Sequence, residues 1–461
     1  MIGLNKIGLN QVQLNRLRLN APFPAYGKMA GGGGSGDGFP QLPGDVTRWH
    51  FGGLTNEMMA AMDDPRIEDA DHKGRFLSFK NFAWKEGSGI SDVYPGFILG
   101  DGVDDFAVTE KELNFEDTYT VYTAFIPFQV DPTRAMEMCG KDFKKDFYLY
   151  YSNTHVVYYT SGLNNYIPVR INQFHIIVCK RNKTNAVIKN LITGESKTFS
   201  VSELIDNPGV YFLWRYQRSG TSTAKTAIAG QTICNGYFST DEDDEKVLDW
   251  YKKQMPWLFP DQAWTVTGKT NEDEDRATIA NIMGNSNDLV LSNFGFIEGS
   301  GYNEEGEYAG YLVTDGVDDR IVSAESIAFA EKWTVVTDTI FIGAKVVSAG
   351  ILVQKIFSIN DSLEYGRVDV DVWNGVQSKI PTSSIKAISS DGKIYDADWN
   401  EYQAEPGTIK ISNGYLAIAT SHTRIQYCQI AFKNLGIYNN RILSKDDCIK
   451  AYNYLQTLKA K

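Results

Sequence analysis

The sequence predicts an all-β protein, with two tandem antiparallel jelly-roll sandwiches that follow an extended N-terminal arm. Three observations predict this class: the chain repeats itself, it is rich in aromatic residues and glycine, and its apolar segments are short and closely spaced. Short strands at intervals of about 8–15 residues are typical of two-sheet sandwiches, of which the jelly roll is the natural form.

The internal repeat rests on two motifs. NFAWKEGSG at 81–89 returns as NFGFIEGSG at 293–301, and DGVDD at 101–105 returns unchanged at 315–319. A shorter match, TNE at 55–57 and 270–272, keeps the same register. A period of about 213 residues is too long for a solenoid and fits a duplicated domain. We therefore expect domain 1 at 46–255 and domain 2 at 256–461.

Composition limits the kinds of partner that the protein can bind and the kinds of site that it can contain. Aromatic residues make up 13% of the 461 residues, which favours strands over helices. The net charge of −12 argues against a nucleic-acid partner, because phosphate binding needs a basic surface. The five widely spaced cysteines fit neither a disulfide framework nor a zinc site. No apolar run is long enough for membrane insertion, and no secretory signal is visible.

Residues 1–29 are predicted to form an anchoring arm, and the glycine-rich residues 30–45 a flexible linker. The first twenty residues repeat a five-residue unit with two apolar positions before an Asn, which suits extended chain. So short a segment cannot bury this stripe alone, so we expect a partner or sister chain to cover it; a disordered tail is the alternative. The stripe consists of Ile2, Leu4, Ile7, Leu9, Val12, Leu14, Leu17 and Leu19.

Charge supports an anchoring role for the arm. Residues 1–36 carry four basic residues and no acidic residue, about +4, whereas the remainder of the chain is about −16. The linker glycines do not form a phosphate-binding loop, since the Gly-Lys-Ser/Thr ending is missing.

The elements of both domains follow from alternation and turn residues. In domain 1 we expect a helix at 242–253, headed by acidic residues. In domain 2 we expect strands at 368–372 and 414–420, and a closing helix through 455 with Ser444 as its N-cap. The strands expected in domain 1 lie at 119–128, 147–151, 155–160, 174–180, 186–191 and 210–216.

Two resemblances add to these predictions. The segment LVTDGVDDRI at 312–321 resembles the early strand of laminin-G-like, concanavalin-A-like lectin and glucanase domains, and the closing helix is similar to the end of such domains. This resemblance covers both repeats and implies a concanavalin-A-like fold. The Leu-Asn repeat followed by GGGGSG resembles the start of virion appendage proteins of tailed phages that infect gut Bacteroidetes, which implies a fibre subunit made in the host cytoplasm.

The resemblance to lectins raises two questions of chemistry, calcium binding and glycan hydrolysis. Loop acids bind calcium in some members, so Asp101, Asp104, Asp315 and Asp318 are calcium candidates; the alternative is that they shape turns and cap backbone groups. Relatives hydrolyse glycans with acids that alternate along a strand. The nearest run here, EDED at 272–275, has no apolar residues between its acids, so we expect no catalysis and no cofactor besides calcium.

Tyrosines are the candidates for a binding surface. Neighbouring residues on a strand point to opposite faces, so about half of the tyrosines between 147 and 166 should be exposed. We take Tyr148, Tyr150, Tyr158 and Tyr166 as candidates for a glycan platform or a subunit interface.

The predicted function is a non-enzymatic structural and adhesive virion protein, a homo-oligomeric fibre or appendage subunit. Residues 1–40 would attach to other virion proteins, and the outer domains would bind host-surface glycans. A bacterial cell-surface glycan-binding module is the alternative, and a polysaccharide hydrolase is a weaker one.

Overall fold

The computed structural model describes residues 38–113, 115–128, 136–141, 147–160, 162–202, 209–215, 224–284, 286–343, 357–359, 384–403, 415–418 and 429–460. Within these ranges the protein consists mostly of antiparallel β-sheets, with three α-helices and one short 3-10 helix. The all-β class is thereby confirmed. The predicted arm lies outside the described residues. In the part of the chain described, none of the helices combines the length and hydrophobicity that a membrane crossing requires.

The chain divides into two compact units. Unit 1 comprises Met1–Ser91, Gly96–Val169 and His175–Trp250. Unit 2 comprises Asp92–Pro95, Arg170–Phe174 and Tyr251–Lys461.

Unit 1 contains the first sixteen strands of the described chain. They are β1 (Asp45–His50), β2 (Arg66–Glu68), β3 (Phe76–Lys80), β4 (Gly89–Ile90), β5 (Ile98–Leu99), β6 (Phe106–Thr109), β7 (Tyr119–Pro127), β8 (Met136–Lys141), β9 (Tyr148–Tyr151), β10 (His155–Thr160), β11 (Leu163–Pro168), β12 (His175–Arg181), β13 (Asn185–Asn190), β14 (Ser196–Ser200), β15 (Tyr211–Leu213) and β16 (Thr226–Asn235). Helix α1 (Asn56–Ala60) follows β1, and helix α2 (Asp241–Gln254) follows β16.

These strands form two sheets that pack face to face. Among the described residues, sheet 1A has the order β14-β13-β12-β7-β16-β5-β4, with β1 paired to β16, and sheet 1B has the order β11-β10-β9-β8-β15-β6-β3-β2. Polar groups bridge the two inner faces: the hydroxyls of Tyr119 in sheet 1A and Tyr158 in sheet 1B lie 2.7 Å apart. The Gln231 amide of β16 donates to the Tyr211 hydroxyl of β15 at 2.6 Å. Unit 1 is therefore a β-sandwich.

Helix α2 covers the outer face of sheet 1A through a buried ion pair. The Lys180 ammonium on β12 lies 2.7 Å from the Asp244 carboxylate on α2, and both side chains are at most 5% exposed. Asp244 also accepts hydrogen bonds from the hydroxyls of Tyr122 and Ser239. A buried carboxylate needs this many partners, because desolvation otherwise outweighs the attraction between the charges.

Unit 2 contains the remaining strands of the described chain and the closing helix. They are β17 (Gln262–Thr265), β18 (Thr278–Ile279), β19 (Leu289–Ser292), β20 (Gly301–Asn303), β21 (Tyr311–Val313), β22 (Arg320–Ser323), β23 (Trp333–Gly343), β24 (Phe357–Ile359), β25 (Ser384–Ser389), β26 (Lys393–Asp396), β27 (Glu401–Gln403), β28 (Leu416–Ile418) and β29 (Gln429–Asn439). A 3-10 helix spans Pro256–Leu258, and helix α3 spans Lys445–Thr457.

Unit 2 likewise has two sheets around one apolar core. In the described residues, sheet 2A has the order β20-β21-β29-β23-β25-β26-β27, with β17 paired to β29, and sheet 2B has the order β18-β19-β22-β28-β24. The core draws on both sheets, for example Trp264, Val335 and Ile437 from sheet 2A and Leu289 and Ile418 from sheet 2B. Each such buried aliphatic side chain stabilises the fold by about 1.5–3 kcal/mol relative to an exposed one.

The helix predictions and most of the strand predictions for unit 1 are confirmed. The strand predicted at 155–160 has those limits, and the helix predicted at 242–253 is one residue longer at each end. Ser444 caps α3 as predicted, since its side chain accepts from the Asp447 N–H. The strand predicted at 368–372 lies outside the described residues, and of 414–420 the structure shows β28. The jelly-roll connection of the strands stays a prediction.

The buried pair predicts an unequal response to two substitutions on α2. Asp244→Ala leaves the Lys180 ammonium buried without its carboxylate, so we expect a loss of about 3–5 kcal/mol in the free energy of unfolding. Glu242→Ala is the matched control, because its ion pair with Lys246 is exposed and solvent screens the attraction between the two charges. Urea unfolding followed by tryptophan fluorescence measures both losses, and equal losses would contradict the role assigned to Asp244.

Candidate functional site

The repeated motifs fold into the same turn in both units. Asn81 and Asn293 both have φ 69°, and Trp84 and Phe296 both have φ 50°. The left-handed region is costly for residues with a side chain, although Asn tolerates it best. A serine closes each turn: the Ser88 hydroxyl accepts from the Ala83 N–H at 2.9 Å, and the Ser300 hydroxyl accepts from the Gly295 N–H at 2.8 Å.

An asparagine from the TNE match bonds to the backbone of the residue that follows each turn. The Asn56 side chain donates to the carbonyl of Ile90 at 2.9 Å and accepts from its N–H at 2.7 Å. Asn271 makes the same two bonds to Tyr302, each at 2.8 Å. The side-chain amide thus replaces a neighbouring strand. Sequence comparison located these asparagines but did not predict this role.

The DGVDD loops are built from hydrogen bonds between aspartates and backbone. Asp101 accepts from the N–H groups of Val103 at 2.7 Å and Asp104 at 3.3 Å, and Asp105 accepts from the Asp101 N–H at 2.9 Å. The second loop repeats this pattern with distances of 2.7, 3.3 and 2.6 Å. The interpretation that Asp101 and Asp315 shape turns is therefore confirmed.

The structure also brings the calcium candidates together. Single carboxylate oxygens of Asp101, Asp104 and Asp105 lie within 4.8 Å of one another, and the same holds for the group in the second loop, Asp315, Asp318 and Asp319. Sequence reasoning did not include the third aspartate of either group. Calcium takes six to eight oxygen ligands, and the oxygens of Asp101 and Asp105 already accept backbone N–H groups. Calcium binding at these loops stays a prediction.

Burial changes the acidity of the third aspartate in each loop. Asp105 is 0% exposed and Asp319 is 1% exposed. Loss of hydration disfavours the charged form and raises the pKa of each carboxyl to about 6. The neighbouring aspartates raise both pKa values further, whereas hydrogen bonds from serine and backbone groups lower them.

The candidate tyrosines lie on three neighbouring strands of sheet 1B. Tyr148 on β9 pairs with Tyr159 on β10, which pairs with Asn164 on β11. In the next row Tyr150 pairs with Val157, which pairs with Tyr166. Tyr148, Tyr150 and Tyr159 are half-buried and Tyr166 is 53% exposed. We call these four tyrosines the tyrosine face.

The prediction for Tyr158 is wrong, and Tyr159 takes its place on this surface. Tyr158 is fully buried and its hydroxyl meets that of Tyr119 between the sheets. Along β10 the buried side is set by Val156 and Thr160, which share the face of Tyr158 because side chains alternate. Two adjacent tyrosines give no signal of their own about which is inside, so the sequence alone did not decide between them.

Three rings of the tyrosine face contact one another. The ring centroids of Tyr148 and Tyr159 lie 4.2 Å apart with an angle of 21° between their planes, and those of Tyr148 and Tyr150 lie 5.9 Å apart at 30°. Because the first pair is stacked across adjacent strands, each of these two rings covers one face of the other. A ligand can therefore contact only the parts of these two rings that are not stacked.

Charged and polar groups flank the tyrosine face at both ends. The Lys197 ammonium of β14 lies 4.7 Å from the centre of the Tyr166 ring, and the His155 ring meets the same ring edge-on at 4.9 Å. At the other end Glu137 of β8 is paired with Tyr150. The arm residues named above lie outside the described residues.

Two aspartates of the acidic run at 272–275 bond to residues close to them in the sequence. Asp273 accepts from the backbone N–H of Thr270 at 2.9 Å and from its hydroxyl at 3.1 Å. The hydrogen bond from the Thr270 backbone lowers the pKa of Asp273. Asp275 pairs with the Lys269 ammonium at 2.6 Å. These acids shape a turn.

Comparison with known proteins finds distant similarity to β-rich carbohydrate-active domains. No protein-family model and no curated protein sequence matches the chain. Trypanosoma rangeli sialidase in complex with sialic acid is 9% identical with a TM-score of 0.34, over 45% of this chain and 33% of that chain. The chain thus spans about a third of the length of that sialidase.

Two further structures show the same level of similarity. A mutant of a GH54 α-L-arabinofuranosidase soaked with 4-nitrophenyl α-L-arabinofuranoside is 11% identical with a TM-score of 0.32, over 55% of this chain and 64% of that chain. Domain 4 of AbnA, a GH43 extracellular arabinanase from Geobacillus stearothermophilus, in complex with arabinotriose, is 13% identical with a TM-score of 0.28, over 44% of this chain and 96% of that chain. At scores this low the similarity extends to a β-rich architecture and no further.

The raised pKa values predict a stability that increases in mild acid. The folded-state pKa of Asp105 and Asp319, about 6, exceeds the ordinary value of 3.8, so the folded state takes up protons first as the pH falls. We expect a gain that begins just above pH 6 and reaches about 3 kcal/mol per carboxyl below about pH 4, since each pKa unit corresponds to about 1.4 kcal/mol.

The double variant Asp105→Asn and Asp319→Asn tests this origin. It should lack the gain, whereas acids with lowered pKa values, such as Asp243 and Asp396, affect both proteins equally at lower pH. The difference in unfolding free energy between the two proteins is measured by urea titration at pH 7.5, 6.5, 5.5 and 4.5. Parallel profiles would show that burial of these carboxyls does not set their acidity.

The left-handed asparagines predict an order of stability among variants. Asn81→Ala loses the hydrogen bond to the Asp104 carbonyl, 3.1 Å long, and places an alanine in the left-handed region. We expect a loss of about 1–2 kcal/mol in unfolding free energy. Asn81→Gly loses the same bond but adopts this conformation freely, so its loss should be smaller. Thermal unfolding of both variants checks the order, and a glycine variant less stable than the alanine variant would refute it.

Proposed function

We propose that this chain is a non-enzymatic structural and adhesive protein of a virion, a fibre or appendage subunit of a tailed phage. Residues 1–40 attach it to other virion proteins or to sister chains of a homo-oligomer. The two β units, each a concanavalin-A-like jelly roll, face outward, and the tyrosine face binds a glycan of the host surface. The observation that carries the adhesive part is the set of four outward tyrosines on sheet 1B.

The tyrosine face has the properties that adhesion requires. Its side chains stand on three hydrogen-bonded strands, so they are held in place before a ligand arrives, which lowers the entropy lost on binding. Tyrosine has few rotatable bonds and combines an apolar ring with a hydroxyl, so it makes contact at a low entropic cost. Sugars are likewise amphipathic, with apolar ring faces and a rim of hydroxyls.

The arrangement of acids supports a role without catalysis. A glycosidase needs two accessible carboxyls on either side of a bond, one of them with a raised pKa. Asp105 and Asp319 have raised pKa values, but both are buried and accept backbone N–H groups. The acids at 272–275 are exposed to different degrees, but Asp273 has a lowered pKa and Asp275 is paired with Lys269.

The sequence of the arm supports attachment through residues 1–40. Its apolar stripe is too short to bury itself, and its charge of about +4 opposes the charge of the remainder of the chain. A segment of this kind gains stability only when another surface covers it.

Mass spectrometry of virus particles purified from the source culture tests the proposal. We expect the chain at a constant ratio to the other structural proteins through a density gradient. A chain absent from particles and found instead on cells or in the medium would refute the virion role and favour a bacterial glycan-binding module.

Variants of the arm test its role in incorporation. Replacing Leu4, Leu9 and Leu14 by serine interrupts the apolar stripe, so incorporation should fall at least tenfold if each buried leucine contributes about 1.5–3 kcal/mol. Replacing Asn5, Asn10 and Asn15 by serine is the control, since it keeps the stripe. Equal incorporation of both variants, quantified from particle peptides, would show that the stripe does not anchor the chain.

A further inference from the structure

The two ends of the tyrosine face differ in charge, and this difference bears on the glycan that it selects. We propose that the tyrosine face binds a short acidic oligosaccharide whose anionic group lies against Lys197 and His155, beside Tyr166. The proposal rests on the proposed adhesive function and adds the chemical class and orientation of the ligand.

The size of the tyrosine face limits its occupant. Neighbouring strands lie about 4.8 Å apart and successive outward residues of one strand about 6.8 Å apart, so the four tyrosines cover roughly 10 Å by 7 Å between their Cα positions. Even with the width of the rings, this is far below the roughly 800 Å² per partner of a stable protein interface. It matches a di- or trisaccharide. The occupant is therefore a short stretch of a glycan and not a second copy of this chain.

The orientation of the rings defines how a sugar is held. Since the rings of Tyr148 and Tyr159 are stacked on each other, one face of each ring is already covered, and a sugar can contact only the remaining surface. A phenolic hydroxyl both donates and accepts, which complements the hydroxyls of a sugar. The Tyr166 ring is the most exposed of the four, so it offers the largest apolar area to a sugar ring.

The charge at the Tyr166 end is what indicates an acidic ligand. Lys197 is exposed, and no carboxylate among the described residues pairs with it, whereas Lys189 on the neighbouring strand is paired with Asp241 and Asp244. His155 stands on the other side of the same ring, and its Nδ1 lies 2.7 Å from the Thr154 hydroxyl. The Lys197 ammonium lies over the Tyr166 ring but pairs with no carboxylate of the described residues, so it can donate a charge-assisted hydrogen bond to a carboxylate or sulfate of a ligand.

The position of Lys197 sets the direction of the ligand. Its ammonium lies at the Tyr166 end of the tyrosine face, whereas the residue next to Tyr150 in the cross-strand register is a glutamate, Glu137. On a chain with a net charge of −12, an acidic glycan binds only where a local cation compensates. The anionic group therefore lies at Tyr166 and the neutral sugars extend over Tyr159 and Tyr148.

A glycan array tests the proposal with the full chain. The array holds neutral oligosaccharides and acidic ones of the same length that contain uronic acid, sialic acid or sulfated sugars. We expect retention of acidic glycans above neutral ones, with the dissociation constant of the strongest one then measured by titration calorimetry.

Four variants separate the contributions of charge and ring. Lys197→Gln should weaken the binding of the acidic glycan roughly tenfold, and Lys183→Gln, which removes the same charge from an exposed turn elsewhere, should leave it unchanged. Tyr166→Ala should weaken binding roughly tenfold, and Tyr166→Phe, which keeps the ring, should weaken it less. Equal unfolding midpoints establish that all four variants are folded.

The outcomes distinguish this inference from the adhesive function on which it rests. Equal binding of neutral and acidic glycans, or equal affinities of Lys197→Gln and Lys183→Gln, would overturn the acidic ligand and leave adhesion standing. Binding that is insensitive to Tyr166→Ala would overturn the location. If the unsubstituted chain retained no glycan at all, the adhesive function would fail together with the inference.

Discussion

Burial of the central strand on both faces is the constraint from which the rest of each unit follows. All nine residues of β7 are buried, since one face meets sheet 1B and the other meets the segment that carries α2. On the first face Tyr119 and Thr123 bond to groups of the inner core, and on the second Thr120 and Tyr122 bond to the segment around the helix. A strand in this position has no polar face, so each of its hydroxyls needs a partner from another layer.

The same constraint is met in unit 2 with a different arrangement of charges. Thr334 stands where the repeat places the counterpart of Thr120, and both hydroxyls accept an N–H from the residues that lead into a helix, Leu443 and Ser239. In unit 1 the lysine lies on a strand and the aspartate on the helix, whereas in unit 2 both partners lie on strands: Asp338 on the central strand meets Lys386 on β25 at 2.8 Å. The closing helix contributes the Gln456 amide, which donates to Asp338 at 2.7 Å. In both units a buried carboxylate with several partners thus joins the outer face of the sheet to the helix, although the carboxylate lies on a different element in each.

The sequence was sufficient to predict the secondary-structure elements that depend on a pattern of a few neighbouring residues. The strand at 155–160, the limits of α2 to within one residue and the cap at Ser444 all follow from alternation or from capping chemistry within a few residues. The choice between Tyr158 and Tyr159 could not be predicted from local patterns, because their positions depend on which face of β10 meets Tyr119, on a strand about forty residues earlier. The burial of Asp105 was not predicted for a similar reason. In the sequence Asp105 cannot be distinguished from its exposed neighbour Asp104, and only the folded turn places its carboxyl at the Asp101 N–H.

The features that the two repeats share build turns, whereas the tyrosines that they do not share are candidates for a specific function. The NF…EGSG turn, the DGVDD loop and the asparagine behind them keep the same dihedral angles and hydrogen bonds in both units, including two left-handed residues in each. Because the serines, aspartates and asparagines of this set bond to the backbone of the turns in both units, their recurrence is explained by the turns that they build. By the repeat offset, the counterparts of β9–β11 fall at about 362–382, where the sequence holds a single tyrosine. The sequence of the second copy therefore does not repeat this set of tyrosines, and a feature that the two copies do not share is where a specific ligand is to be sought.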